Sequence, residues 1–112
     1  MEITNEKEGD VLVLTVKGDL NSHTSPQFEQ VLLPAIDSGQ SLVLIDAAGM
    51  NYISSAGLRV ILKARQKLAP KKGKMAICSL PPMVQDVFEM AGFSGVLPLA
   101  KTRADALRAL HA

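Results

Sequence analysis

The chain has 112 residues, 47% hydrophobic and 21% charged, with a formal net charge of +1. This is the size and balance of one globular domain spanning 1–112, able to bury a core without disulfides or metal, and it excludes a disordered chain. No uninterrupted apolar run reaches membrane length, residues 1–8 contain no apolar leader, and the single Cys78 cannot form an internal disulfide. A soluble cytoplasmic protein without membrane insertion is therefore expected, with Cys78 as a small buried hydrophobe.

In chain order, Ile3 to Asn5 reads as a short edge strand and Glu8-Gly9-Asp10 as a turn. Val11 to Val16 is apolar and β-branched, a strand ended by Lys17-Gly18-Asp19; the two strands form an N-terminal hairpin. The polar stretch Leu20–Gln27 carries helix-start signals, with Thr24 and Gln27 spaced for a capping box and Pro26 placed for the first turn. Phe28, Val31, Leu32, Ala35 and Ile36 then recur at helical spacing. Pro34 falls inside that pattern and predicts a kink or early fraying, and Ser38-Gly39 ends the helix.

Leu42–Ile45 is a buried strand closed by Asp46. The stretch Asn51–Leu62 follows, with Ser54 and Ser55 where a second helix begins. On that helix Val60, Ile61, Ala64 and Leu68 form a stripe fit to pack on a sheet. Arg59, Lys63, Gln66 and Lys67 form a narrow polar arc, while Leu58 and Leu62 lie at the border, more than a one-faced helix needs. Pro70–Gly73 turns into the strand Lys74–Cys78. A third helix starts at Ser79-Leu80-Pro81-Pro82, with Met83, Val84, Val87, Phe88, Met90 and Ala91 on one side and Gly92 at its C′ position. A short strand at Val96–Leu99 and a helix at Thr102–Leu110 complete the chain. The order β-β-α-β-α-β-α-β-α predicts an α/β domain with a mixed, mostly parallel sheet and about four helices, strands 42–45 and 75–78 being central.

Catalytic constellations are missing. There are two histidines, of which His111 is next to last and expected to fray. No Gly-x-Ser-x-Gly elbow occurs, no Gly-Lys-Ser/Thr follows the Asp46 strand, and metal ligands are too few. The expectation is a protein that is not an enzyme and carries no cofactor or metal. Between Ala47 and Gln85 there is no acidic residue and seven basic ones. Without interleaved aromatics this reads as a solvated helix face running into a basic turn, fit to steer an acidic protein partner, and not as a nucleic-acid site.

What remains is Asp46, the Ser54-Ser55 pair and the polar loop Asn21–Ser25. In an open α/β sheet, loops leaving the C-terminal ends of neighbouring strands converge, so the two hydroxyl-rich loops can share one end of the molecule. A serine at a helix N-terminus is either an N-cap or a place where negative charge is favoured by the backbone N–H groups and the dipole. His23 reads as a surface loop residue within reach of that site.

Three segments carry a family resemblance: Leu14–Asn21, Asp46–Leu62, and Met75–Val84 with Phe88–Phe93 behind it. In this order they resemble the STAS domains, and within them the bacterial anti-sigma-factor antagonists, over almost the whole chain. The resemblance implies a partner that is both anti-sigma factor and serine kinase. It further implies inactivation by phosphorylation at the start of the second helix, and reactivation by a serine phosphatase. The family pattern Asp-Ser-(Ser/Thr)-Gly-Leu, aligned on Gly57-Leu58, puts the acceptor at Ser55, with Ser54 the lesser candidate. Here Ser54 stands for the usual aspartate, Ala56 for the usual hydroxyl residue, and Asn21 for an aspartate common in the first loop. Partner contacts are expected from Asn21, Ser22, His23 and Thr24, and from Ser54, Ser55, Ala56, Gly57, Leu58, Arg59 and Leu62. The alternative is a constitutive STAS subunit of a lipid-transport or sensory assembly, with Ser55 only a cap.

Overall fold

The computed structural model describes residues 1–112. Five strands form one sheet in the order β1 (Glu2–Glu8), β2 (Val11–Leu20), β3 (Leu42–Ile53), β4 (Lys74–Cys78), β5 (Leu99–Ala100). β1 is antiparallel to β2, and every other pairing is parallel. The helices are α1 (Ser25–Asp37), α2 (Ser55–Leu68), α3 (Pro82–Met90) and α4 (Arg103–Leu110). Because β2 to β5 are neighbours in sequence order, the right-handed crossovers through α1, α2 and α3 all fall on one face.

Period-two alternation assigns each strand residue to a face. Leu12, Leu14, Val16, Val43, Ile45, Met75 and Ile77 join the main core beneath α1, α2 and α3. Val11, Val13, Leu44, Ala76 and Cys78 point the other way, into a smaller core closed by Ala106 and Leu110 of α4. Cys78 is fully buried there, and burial pushes its thiol pKa up, which keeps it a packing residue.

Several elements differ from the expectation, each for a local reason. β1 runs from Glu2 to Glu8 because backbone pairing with β2 holds even its charged residues. β2 does not stop at Lys17-Gly18-Asp19 but continues to Leu20 through two register shifts, with Gly18 at φ +98°. β3 extends eight residues past Ile45, so Asp46 is internal to the strand; beyond Asp46 it pairs with β2 alone. α1 passes through Pro34 to Asp37 without fraying, its last turn anchored by buried Ile36 and by the Ser38 N–H donating to the Pro34 carbonyl. On α3 only Val84 and Phe88 are buried; Met83 is 80% and Met90 87% exposed, and Ala91 is exposed, so the predicted apolar side is narrower than its composition. Gly92 is left-handed after the helix, as its position predicts. The last strand is Leu99–Ala100, because Phe93–Gly95 forms a 3-10 turn and Leu97 turns into the core.

α4 is pinned at both ends. Arg103 reaches Asp46 on β3 at 2.8 Å and Glu6 and Glu8 on β1 at 3.1 and 3.6 Å, and Asp46, then Glu6, hold the guanidinium more firmly charged. His111 is not frayed: one ring nitrogen is 2.8 Å from Asp10 and the other 2.9 Å from the Leu107 carbonyl.

The start of α2 is set by Gly57. A Cβ built there falls 2.8 Å from Leu20 Cγ and 2.9 Å from Ile53 Cγ1, so the helix lies directly on the ends of β2 and β3.

Two predictions follow from this packing. Gly57→Val should lower the melting temperature, overpacking costing about 1–3 kcal/mol. Gly57→Ala should lose less, because alanine returns about 1 kcal/mol of helix propensity. A Gly57→Val protein as stable as the parent in thermal and denaturant melts would refute the close docking. The second concerns pH. Asp10 raises the His111 pKa above its ordinary 6.5, so that contribution is complete below pH 6.5 and lost as pH rises through the raised value. His111 lowers the Asp10 pKa below 3.8, so that contribution is complete above pH 3.8 and lost as pH falls through the depressed value. His111→Asn should therefore lower the melting temperature between about pH 4 and 6.5 and converge on the parent at higher pH. Equal melting curves across that window would show the contact to be inert.

Candidate partner-binding and phosphoacceptor site

Leu20 pairs with Ile53 at the C-terminal ends of β2 and β3, and the Ser54 N–H donates to the Leu20 carbonyl at 2.9 Å. This pairing brings the Asn21–Thr24 loop and the first turn of α2 side by side, as the convergence of parallel-strand loops requires.

The two serines do different jobs. Ser54 is the N-cap, with extended backbone (φ −100°, ψ 172°), a half-buried side chain, and Oγ accepting from the Gly57 N–H at a long 3.4 Å. Ser55 is the first helical residue; it is exposed and its hydroxyl makes no hydrogen bond within the chain. The cap that sequence reasoning offered for Ser55 is thus filled by Ser54. No acidic residue lies in the first turn of α2, so the positive end of the helix dipole is uncompensated around the Ser55 hydroxyl.

The first loop is cross-linked by hydrogen bonds, though not by the predicted capping box. Thr24 Oγ1 turns back, accepting from the Asn21 N–H at 2.8 Å and donating to the Asp19 carbonyl at 2.8 Å, so it does not cap α1. Asn21 Oδ1 accepts from the N–H groups of His23 and Thr24 at 2.9 and 3.1 Å. An aspartate could accept the same two bonds, so asparagine keeps the turn and removes only the charge. Ser25, the last residue of the candidate Asn21–Ser25 loop and not singled out within it, is buried; it donates its hydroxyl to the Asn21 carbonyl at 2.6 Å and fastens the loop to α1. Its signal was faint: one more small polar residue in a run of them.

Ser22 and His23 are exposed, and the His23 ring makes no hydrogen bond, as a surface residue would not. Ala56 and Leu58 are half-buried, Arg59 is exposed and Leu62 is 37% exposed; Gly57 is buried and shapes the site from beneath. Between α1 and α2 lies a shallow cleft of about 170 Å³, whose lining includes Ser22, Ser25, Glu29, Ala56, Arg59 and Lys63. Lys63 faces Glu29 at 3.6 Å and Lys67 meets Asp37 at 2.8 Å, which accounts for part of the basic stretch as inter-helix pairing. Arg59, one turn beyond Ser55, has no acidic partner. Asp46, a candidate from the sequence, lies on the α4 face with Arg103 and takes no part. Tyr52, 51% exposed just before Ser54, was not singled out.

This surface offers hydrogen bonding, one unpaired cation and a modest apolar border; it holds no nucleophile–base pair, and no cluster of three or more His, Cys, Asp or Glu side chains could hold a metal. No helix is long and apolar enough to cross a membrane.

Comparison with known proteins agrees with that character. The STAS domain model matches residues 2–106. BtrV of Bordetella bronchiseptica, provisionally named an anti-sigma factor antagonist, is 37% identical over 103 residues, covering 92% of this chain and 89% of that one. An anti-sigma factor antagonist from Mycobacterium paratuberculosis superposes with a TM-score of 0.91 at 23% identity, over 99% of this chain and 94% of that one. The Bacillus cell-fate determinant SpoIIAA in its phosphorylated form superposes at 0.76 with 19% identity, over 96% and 97%. At those identities the two structures establish the fold, and the family model with the Bordetella relative establishes the lineage: the chain belongs to the STAS domain family and, within it, to the anti-sigma-factor antagonists.

Proposed function

We propose that this chain is a phosphorylation-controlled binding switch. Unphosphorylated, it binds an anti-sigma factor that is also a serine kinase, through the Asn21–Thr24 loop and the exposed part of Ser54–Leu62. The kinase inactivates it by phosphorylating Ser55, and a serine phosphatase reverses the modification. The observation that carries this reading is the exposed, unbonded Ser55 hydroxyl at the first position of α2, beside a neighbour already engaged as the cap. The first turn tolerates a dianion, since it carries no acidic side chain and its N–H groups face the phosphate. A protein of the same fold solved in a phosphorylated form lends support.

The missing acidic residue before the acceptor is compatible with this chemistry. Ser54 supplies the cap an aspartate would supply, so the acceptor keeps its place while the local charge is reduced. Kinase recognition then rests on shape and on Arg59 more than on a neighbouring carboxylate.

With the cognate kinase and ATP, intact mass should show one added phosphate, and fragment ions should place it on Ser55. Ser55→Ala should abolish it. Ser54→Ala should only weaken it, and should cost about 0.5–2 kcal/mol of stability through loss of the cap. Ser54→Asp should leave the acceptor competent. Phosphate mapped to Ser54 would overturn the assignment.

Folding and binding should separate in Ser55→Asp. A negative charge at this position is favoured by about 0.3–1 kcal/mol, so the melting temperature should stay near the parent's. At the partner surface a poorly paired charge costs about 2–5 kcal/mol, which is roughly thirty-fold to several-thousand-fold weaker binding. Titration of a purified partner that shows unchanged affinity for well-folded phosphoprotein would leave a constitutive interaction subunit as the better reading.

A further inference from the structure

At the opposite end of the molecule from Ser55, a half-open cavity of about 220 Å³ separates the end of α2, the start of β4, the 96–98 segment and the last turn of α4. Seven of its eleven lining residues are hydrophobic, among them Leu68, Met75, Val96, Leu97 and Leu110; the two charged ones are Arg65 and Lys74, and no acidic residue is present. The hollow opens to solvent past Arg65 and Lys74, while its inner wall is apolar and gives water few hydrogen-bond partners.

The two cations are not equivalent. Lys74 holds the Ala112 carbonyl with its ammonium. Arg65, exposed at the mouth of the hollow, donates only Nε–H, to the Val96 carbonyl at 2.9 Å, which directs the side chain along the rim. Its two terminal nitrogens have no partner within the chain, and no carboxylate lies within ion-pair distance. A guanidinium held by one bond at the rim of an apolar hollow, with its other N–H groups free, matches a carboxylate head on an aliphatic tail.

We infer that this cavity binds a small amphiphilic monocarboxylate, a linear acid of about six to eight carbons, with its head on Arg65 and its tail against Leu68, Met75 and Leu97. The length follows from the volume of about 220 Å³, which holds a tail of about seven groups at about 30 Å³ each, the carboxylate lying outside at the rim on Arg65. A carboxylate fits better than a phosphate dianion, because one guanidinium is free and the neighbouring ammonium is engaged. The site is independent of the phosphoacceptor surface, although α2 spans the distance between them.

The test is titration of the 15N-labelled full chain with sodium octanoate, octan-1-ol and octylammonium chloride, read by amide chemical shifts. Octanoate should give saturable shifts at Arg65, Leu68, Met75, Leu97 and Leu110, and should bind at least tenfold more tightly than octylammonium, with octanol between them. Arg65→Met should weaken octanoate at least tenfold and leave octanol unchanged, melting being checked in parallel. Should that variant fail to fold, the head-group series on the parent protein still decides. Equal affinity for octanoate and octylammonium, no saturable shift, or shifts mapping to the Ser22–Arg59 cleft would each overturn the inference.

Discussion

The absence of a side chain at Gly57 fixes where α2 begins, and most of the functional surface depends on it. Leu20 and Ile53 close the last register of the β2–β3 pair, and Gly57 lets the helix backbone rest on both. That contact sets the direction of α2 as it leaves the sheet, and with it the exposure of Ser55. It also places Ser54 so that its Oγ meets the Gly57 N–H, so the residue that permits close packing also supplies the capped donor. The first loop is tied to the same point, since Ser54 bonds the Leu20 carbonyl and Asn21 follows directly. A site made of two loops is thereby held as firmly as the sheet ends that carry it, the pre-organisation that recognition at a loop surface needs.

A second constraint governs the reverse face. An eight-residue helix buries only Ala106 and Leu110 fully, too little apolar surface to fix its orientation alone. Arg103 at one end and His111 at the other supply direction, the first by spanning β1 and β3 and the second by reaching Asp10. Asp46 is 14% exposed, so its pairing with Arg103 is less screened than a rim contact, and an unpaired carboxylate there would be costly. This explains a carboxylate inside an otherwise apolar strand better than any role at the opposite site.

Sequence legibility followed the same physical lines. Strand Lys74–Cys78 and the stripe Val60, Ile61, Ala64 and Leu68 were readable because burial imposes a pattern on a short window. The second half of β3 was not, because Ala48, Gly49 and Asn51 have low strand preference and are held by β2 alone. Asp46 could not be placed because its partner lies 57 positions away on another element. Met83 and Met90 misled for a different reason: methionine's apolar character does not reveal which flank of a short helix meets the core, and Val84 and Phe88 suffice to dock α3. At the site, the spacing from Gly57-Leu58 singled out Ser55 through resemblance, but the division between cap and free hydroxyl required backbone angles. The same holds for Thr24, whose spacing to Gln27 suited a box while its hydroxyl found better partners in Asp19 and Asn21.

That division bears on how a switch of this kind remains safe for the fold. Had Ser55 been the cap, modifying its oxygen would have exchanged a stabilising hydrogen bond for a bulky dianion at the point that fixes α2. Because Ser54 carries the cap, the exposed Ser55 hydroxyl makes no hydrogen bond within the chain and is free of any part in starting the helix. The first turn of α2 is also free of acidic side chains, so a phosphate on Ser55, as proposed, would meet attraction within the chain. The same geometry makes serine adequate at position 54: the cap needs an acceptor oxygen, not a charge, and serine provides one as aspartate would. The cap and the exposed hydroxyl thus fall on adjacent residues that share a helix start but not a structural role.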